Sequence, residues 1–188
     1  MLAKVVHWAF VILYAYGIFK QLDDLEQLHD QKLLVFEVAF ASAFLIIVLV
    51  RYFYMSRFET FLGAREPVPR AHKYLAKTVH LSMYACLALL PLTGLAIAGL
   101  FTRGVEDGFL MEMALGLHGF AADLSYALIA IHIAAAIYSR LKGEGVWTSM
   151  VPLWKERGTE QNALATTLTS LENKAVQMVK DLIPTKKD

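Results

Sequence analysis

Apolar and polar positions fall into long blocks along this chain. Four apolar runs stand out: Leu2–Phe19, residues 33–55, residues 79–101 and residues 114–138. Each is long enough to cross a hydrocarbon layer of about 30 Å as an α-helix. None shows the period-two alternation of a half-buried strand. The pattern predicts an all-α membrane protein, a bundle of four transmembrane helices. The first run is not read as a secretory leader. Its apolar part is longer than a leader's, and Asp23 and Asp24 stand where a small-residue cleavage site would be.

Beyond residue 142 the pattern changes. Leu164, Leu168, Leu171, Ala175, Met178 and Leu182 recur at steps of four and three, one stripe of a short amphipathic helix that stops before Pro184. The chain therefore divides into a transmembrane domain, residues 1–142, and a cytoplasmic extension, residues 143–188. The stripe fits either the membrane surface and the underside of the bundle, or a partner chain in a short coiled-coil seam. Residues 57–77, with Pro67 and Pro69, read as a connector.

Charge gives the runs a direction. Residues 20–32 hold two basic and four acidic side chains, and residues 102–113 hold Arg103 against Glu106, Asp107 and Glu112. Residues 51–77 hold six Lys or Arg against two Glu, and residues 140–157 hold four against two. Positive charge thus collects at alternate loops, which places both termini in the cytoplasm of a multi-pass protein. We call the two sides the basic end and the acidic end. Composition agrees: 57% of residues are hydrophobic, and the mean hydropathy is +0.47. A net charge of +1 supplies no field for nucleic acid. The single cysteine, Cys86, excludes an internal disulfide and any C-x-x-C-H haem attachment. No phosphate-binding glycine loop, zinc-ligand spacing or nucleophile elbow is present.

The candidate chemistry sits in the last run. His118 and His132 are fourteen residues apart, about 21 Å along a helix axis and only some 40° apart around it. Two imidazoles on one stripe, one per leaflet, suggest two stacked cofactor levels, with haem as the cofactor. His7, near the basic end of the first run, is level with His132. It is either an axial ligand or an interfacial histidine beside Trp8. His80 in the third run is level with both, one imidazole more than a six-coordinate haem needs. It faces a quinone headgroup, with Lys77 nearby, or hydrogen-bonds within the bundle. Arg51 either pairs with a haem propionate or reaches the interface.

The acidic-end level is less regular. Where a second imidazole is wanted, the second run carries Glu37. A carboxylate inside a membrane is costly and commonly functional or paired. Its readings are a hydrogen-bond partner of His118, a proton-transfer group, a weak haem ligand, or a side chain reaching water. His29 reads as a loop histidine, and Asp123 lies off the histidine stripe. Pro91 is expected to kink the third helix, and Gly94, Gly99, Gly116 and Gly119 to allow close packing.

The motifs KVVHWAF in the first run, AKTVHLSMYACLALLPLTGL in the third and LHGFAADLSYALIAIHIAAAIY in the fourth resemble the bacterial cytochrome b561 family. That family includes the cytochrome b subunits of nickel-iron hydrogenases and the superoxide oxidases. The resemblance covers about residues 4–142. It implies haem b held within four helices, with His7 and His132 ligating the basic-end haem. It maps the acidic-end pair to His118 and Glu37, so one haem is expected and a second only if Glu37 can stand in for histidine. It further implies electron exchange between the quinone pool of the bacterial inner membrane and a redox partner protein. Two alternatives remain: a superoxide-handling oxidoreductase with a pocket at the acidic end, and a non-redox anchor subunit of a larger complex.

Overall fold

The computed structural model describes residues 2–22, 24–57, 70–142 and 145–151, with isolated helical positions between 166 and 178. Its elements are α1 (Leu2–Phe19), a short 3₁₀ helix (Leu25–His29), α2 (Gln31–Met55), α3 (Arg70–Phe101), α4 (Phe109–Lys142) and α5 (Val146–Met150). Among the described residues there is no strand. Two compact units are distinguished: Met1–Thr60 with Pro69–His132, and Phe61–Val68 with Ile133–Asp188. In the second unit, the Arg140 guanidinium lies 4.7 Å from the Trp147 ring centre. The candidate site residues all lie in the first.

α2, α3 and α4 are long and apolar enough to cross a membrane, whereas α1 is a shorter apolar helix. The helices outrun the apolar runs: α3 begins at Arg70 and α4 covers Phe109–Lys142. Of the C-terminal stripe, Leu164, Leu168, Ala175 and Leu182 lie outside the described residues, while Leu171 and Met178 are helical and exposed. The connector's Pro67 and Pro69 also lie outside them.

Local chemistry sets the turns at the acidic end. The Asp24 carboxylate accepts from the Glu26 amide at 3.3 Å, and that of Asp30 from the Lys32 amide at 2.9 Å, capping the 3₁₀ helix and α2. α3 closes with Val105 N donating to Leu100 O at 3.1 Å and Gly104 N to Phe101 O at 2.9 Å. Gly104 takes φ 76°, the left-handed position that this helix stop requires.

Two apolar clusters pack the helices. Phe10, Phe44, Val48 and Leu87 join α1, α2 and α3, flanked by Tyr14, Phe40 and Tyr84. Leu28, Ile97, Phe101, Met111 and Ala114 seat the 3₁₀ helix on α3 and α4 at the acidic end. One polar contact ties α1 to α4: Tyr14 Oη and Ser125 Oγ are 2.6 Å apart. Ser125 Oγ donates to Ala122 O at 2.8 Å, so the tyrosine is the donor between the two hydroxyls. The outward faces are apolar, with Ile12, Ile46, Val50, Phe53, Leu92 and Ile131 exposed. Such a surface is suited to lipid.

Candidate functional site

Three of the expected histidines and Arg51 meet at the basic end. His80 on α3 and His132 on α4 stand with ring centres 5.1 Å apart, edge to face. His7 on α1 lies within electrostatic reach of both. Arg51, in the last turns of α2, is the hub. Its Nη2 donates to His7 Nδ1 at 2.8 Å and its Nε to Tyr84 Oη at 3.1 Å, and its carbon lies 4.8 Å from the Phe10 ring centre. Its remaining nitrogen, Nη1, is buried and has no hydrogen-bond partner. An orphaned guanidinium N–H in an apolar bundle costs roughly 1–3 kcal/mol or more. The arrangement is therefore incomplete as protein alone and calls for an acceptor, ideally an anion.

These residues fit a haem. Imidazole is a good ligand for haem iron, and a propionate carboxylate is the acceptor that Nη1 lacks. One rearrangement is needed. Arginine has donors only, so His7 Nδ1 accepts and the ring proton sits on Nε2. Ligation through His7 Nε2 and this hydrogen bond exclude each other, so His7 becomes a ligand only when Arg51 turns to another acceptor. His80 and His132 touch edge to face, which leaves no gap for a macrocycle between them.

The acidic end holds the other two expected residues. The Glu37 carboxylate pairs with the Lys20 ammonium at side-chain exposures of 20% and 15%, so it is paired and mostly withdrawn from water. Lys20 Nζ also lies 4.4 Å from the Phe40 ring centre and 5.7 Å from that of Phe36. His118 Nδ1 is 2.9 Å from Thr93 Oγ1. That hydroxyl also faces the carbonyls of Leu89 at 2.8 Å and Leu90 at 3.0 Å. With one proton to give, Thr93 donates to a carbonyl and accepts from His118 Nδ1–H, leaving His118 Nε2 as a lone pair. Gly94 keeps α3 close to this ring, since a Cβ there would lie 3.6 Å from His118 Cε1. His29 sits apart, 3.6 Å from Glu106 and with its ring 4.9 Å from that of Phe101. Asp123 is exposed.

Sequence reasoning missed Lys20, Tyr84 and Thr93. Tyr84 was accessible: it follows His80 by four residues, one turn further along the same helix face. Lys20, directly after an apolar run, reads as an interfacial lysine until the fold brings Glu37 to it.

A family model described as prokaryotic cytochrome b561 matches residues 1–153. No curated protein and no solved structure matches the chain.

Proposed function

The chain belongs to the prokaryotic cytochrome b561 family, and from that premise we propose that it carries electrons between a membrane quinone and a redox partner by way of haem b at the basic end. Membership makes it an integral membrane b-type cytochrome of electron transfer. The observation that carries the finer reading is Arg51, a buried cation with one N–H unsatisfied, fixed beside three imidazoles.

His7 and His132 are the proposed axial ligands, one from α1 and one from α4. When bound, haem would supply a one-electron couple, and ligation by two imidazoles would suit electron transfer rather than dioxygen binding. Arg51 would hold a propionate, with Tyr84 fixing the guanidinium through its Nε. Phe10, Phe44, Val48 and Leu87 keep water out beside the site. His80 stands next to His132 without bridging to it, and Lys77 is exposed one turn earlier on α3. Together they are proposed to hydrogen-bond a quinone headgroup. In this reading α1 is the fourth membrane span of an inner-membrane protein with both termini in the cytoplasm, and residues 143–188 form a cytoplasmic extension that docks a partner.

The test is anaerobic addition of a short-chain quinol to the purified, oxidised protein. The b-type α-band should rise with the quinol, and His80→Ala should slow that rise without changing the spectrum. A band that responds to dithionite and not to any quinol contradicts the reading.

A further inference from the structure

The two polar levels of the bundle differ in one physical respect. At the basic end a buried donor lacks an acceptor; at the acidic end the polar groups satisfy one another. Arg51 Nη1 is orphaned, whereas among the described residues no buried side-chain polar atom around Lys20, Glu37, Thr93 or His118 lacks a partner. Lys20 and Glu37 neutralise each other, and Thr93 takes the His118 Nδ1 proton.

Aromatic rings crowd the ion pair as well. Phe36, Phe40 and Phe44 stack along α2, with ring centres 6.3 and 6.1 Å apart. Tyr16 reaches Phe40 from α1 at 5.7 Å, and a Cβ on Gly17 would already touch the Phe40 ring at 3.4 Å. Phe40 thus closes the α1–α2 seam beside the ion pair, with Tyr16 and Phe36 half-exposed at its outer edge. Above it Leu28, 5% exposed, closes the acidic end against Ile97, Phe101 and Met111. The nearest other imidazole at this end, His29, is committed to Glu106 and Phe101 near the surface.

We propose that the acidic-end level is not a haem site: the Lys20–Glu37 ion pair, set among Phe36 and Phe40, takes the place of a second axial ligand, and the chain carries a single haem. The Glu37 carboxylate spends its charge on the Lys20 ammonium through Oε2, and drawing that charge to iron would weaken the pair and leave Lys20 poorly compensated in the apolar layer. His118, although its Nε2 is a free lone pair, has no opposing ligand. This inference rests on the haem reading of the basic end. Its consequence is functional: donor and acceptor both exchange electrons at the basic-end level, and the chain alone does not conduct from one leaflet to the other.

The experiment is the haem-to-protein ratio of the full-length protein by pyridine haemochrome, for wild type, His118→Ala, His118→Gln and His132→Ala. The expected ratios are one, one, one and zero. His118→Gln keeps a donor for Thr93, so it tests ligation apart from folding. A wild-type ratio of two, or loss of half the haem in both His118 variants, overturns this proposal alone. Wild-type protein without haem overturns the basic-end reading and this proposal with it.

Discussion

Replacing Lys20 and Glu37 singly and together by methionine tests the ion pair at the acidic end. Their side chains are 15% and 20% exposed, so each charge is largely withdrawn from water. Breaking a buried pair by removing one partner costs about 3–5 kcal/mol, and the residual exposure brings the expected loss to roughly 2–4 kcal/mol. The two single variants should differ. Lys20→Met strands a carboxylate with no cation beside it. Glu37→Met leaves an ammonium that keeps the faces of Phe40 at 4.4 Å and Phe36 at 5.7 Å, contacts worth about 0.5–2 kcal/mol. Lys20→Met should therefore be the more damaging. The double variant replaces the pair by apolar side chains and should return to within about 1 kcal/mol of wild type. The assay is reversible unfolding in mixed micelles titrated with SDS, followed by tryptophan fluorescence. Single effects that add within about 0.5 kcal/mol in the double variant would show that the pair is not coupled, and the reasoning fails.

Three further outcomes follow. Arg51→Gln should lower the haem midpoint potential in a redox titration, because a buried positive charge favours the reduced, less positive haem; Arg51→Lys should restore it only partly, since lysine lacks the fork that also holds Tyr84. Lys20→Leu combined with Glu37→His should raise the haem ratio from one towards two, as it removes the lock and supplies a second imidazole at the acidic end; a ratio fixed at one in a folded variant contradicts the idea that the ion pair is what excludes the second haem. A reporter fused after Asp188 should register in the cytoplasm, as the basic loops require, and a periplasmic signal refutes the orientation.

The apolar runs already mark the three long membrane helices, and the histidine spacing marks the basic-end level. Twenty or so apolar residues leave few options in a membrane, because every backbone bond must be made within the segment. The alternation of runs and the rise per residue put His7, His80 and His132 at one level, and the structure stands His80 beside His132 with Arg51 bonded to His7. What lay beyond reach was pairing. That Arg51 uses its Nε on Tyr84 and its Nη2 on His7 depends on the rotation of three helices about their axes, which apolar runs without a polar face do not specify. The same holds for Glu37. It lies seventeen residues from Lys20 across a turn built on Asp24 and Asp30, so its partner is fixed by that turn and not by any local motif. The 3₁₀ helix was hidden for a different reason. Leu25 and Leu28 form too short a pattern to announce an element, and Leu28 is buried only because α3 and α4 provide its seat.

The account's central claim is a haem at the basic end with His7 and His132 as its ligands. The electron paramagnetic resonance spectrum of the oxidised protein tests it most directly, recorded for wild type, His7→Ala and His80→Ala. Wild type and His80→Ala should show a low-spin haem with two imidazole ligands, and His7→Ala should turn high-spin as one ligand is lost. A low-spin signal that survives in His7→Ala and disappears in His80→Ala would contradict the claim and assign the ligand to α3 instead.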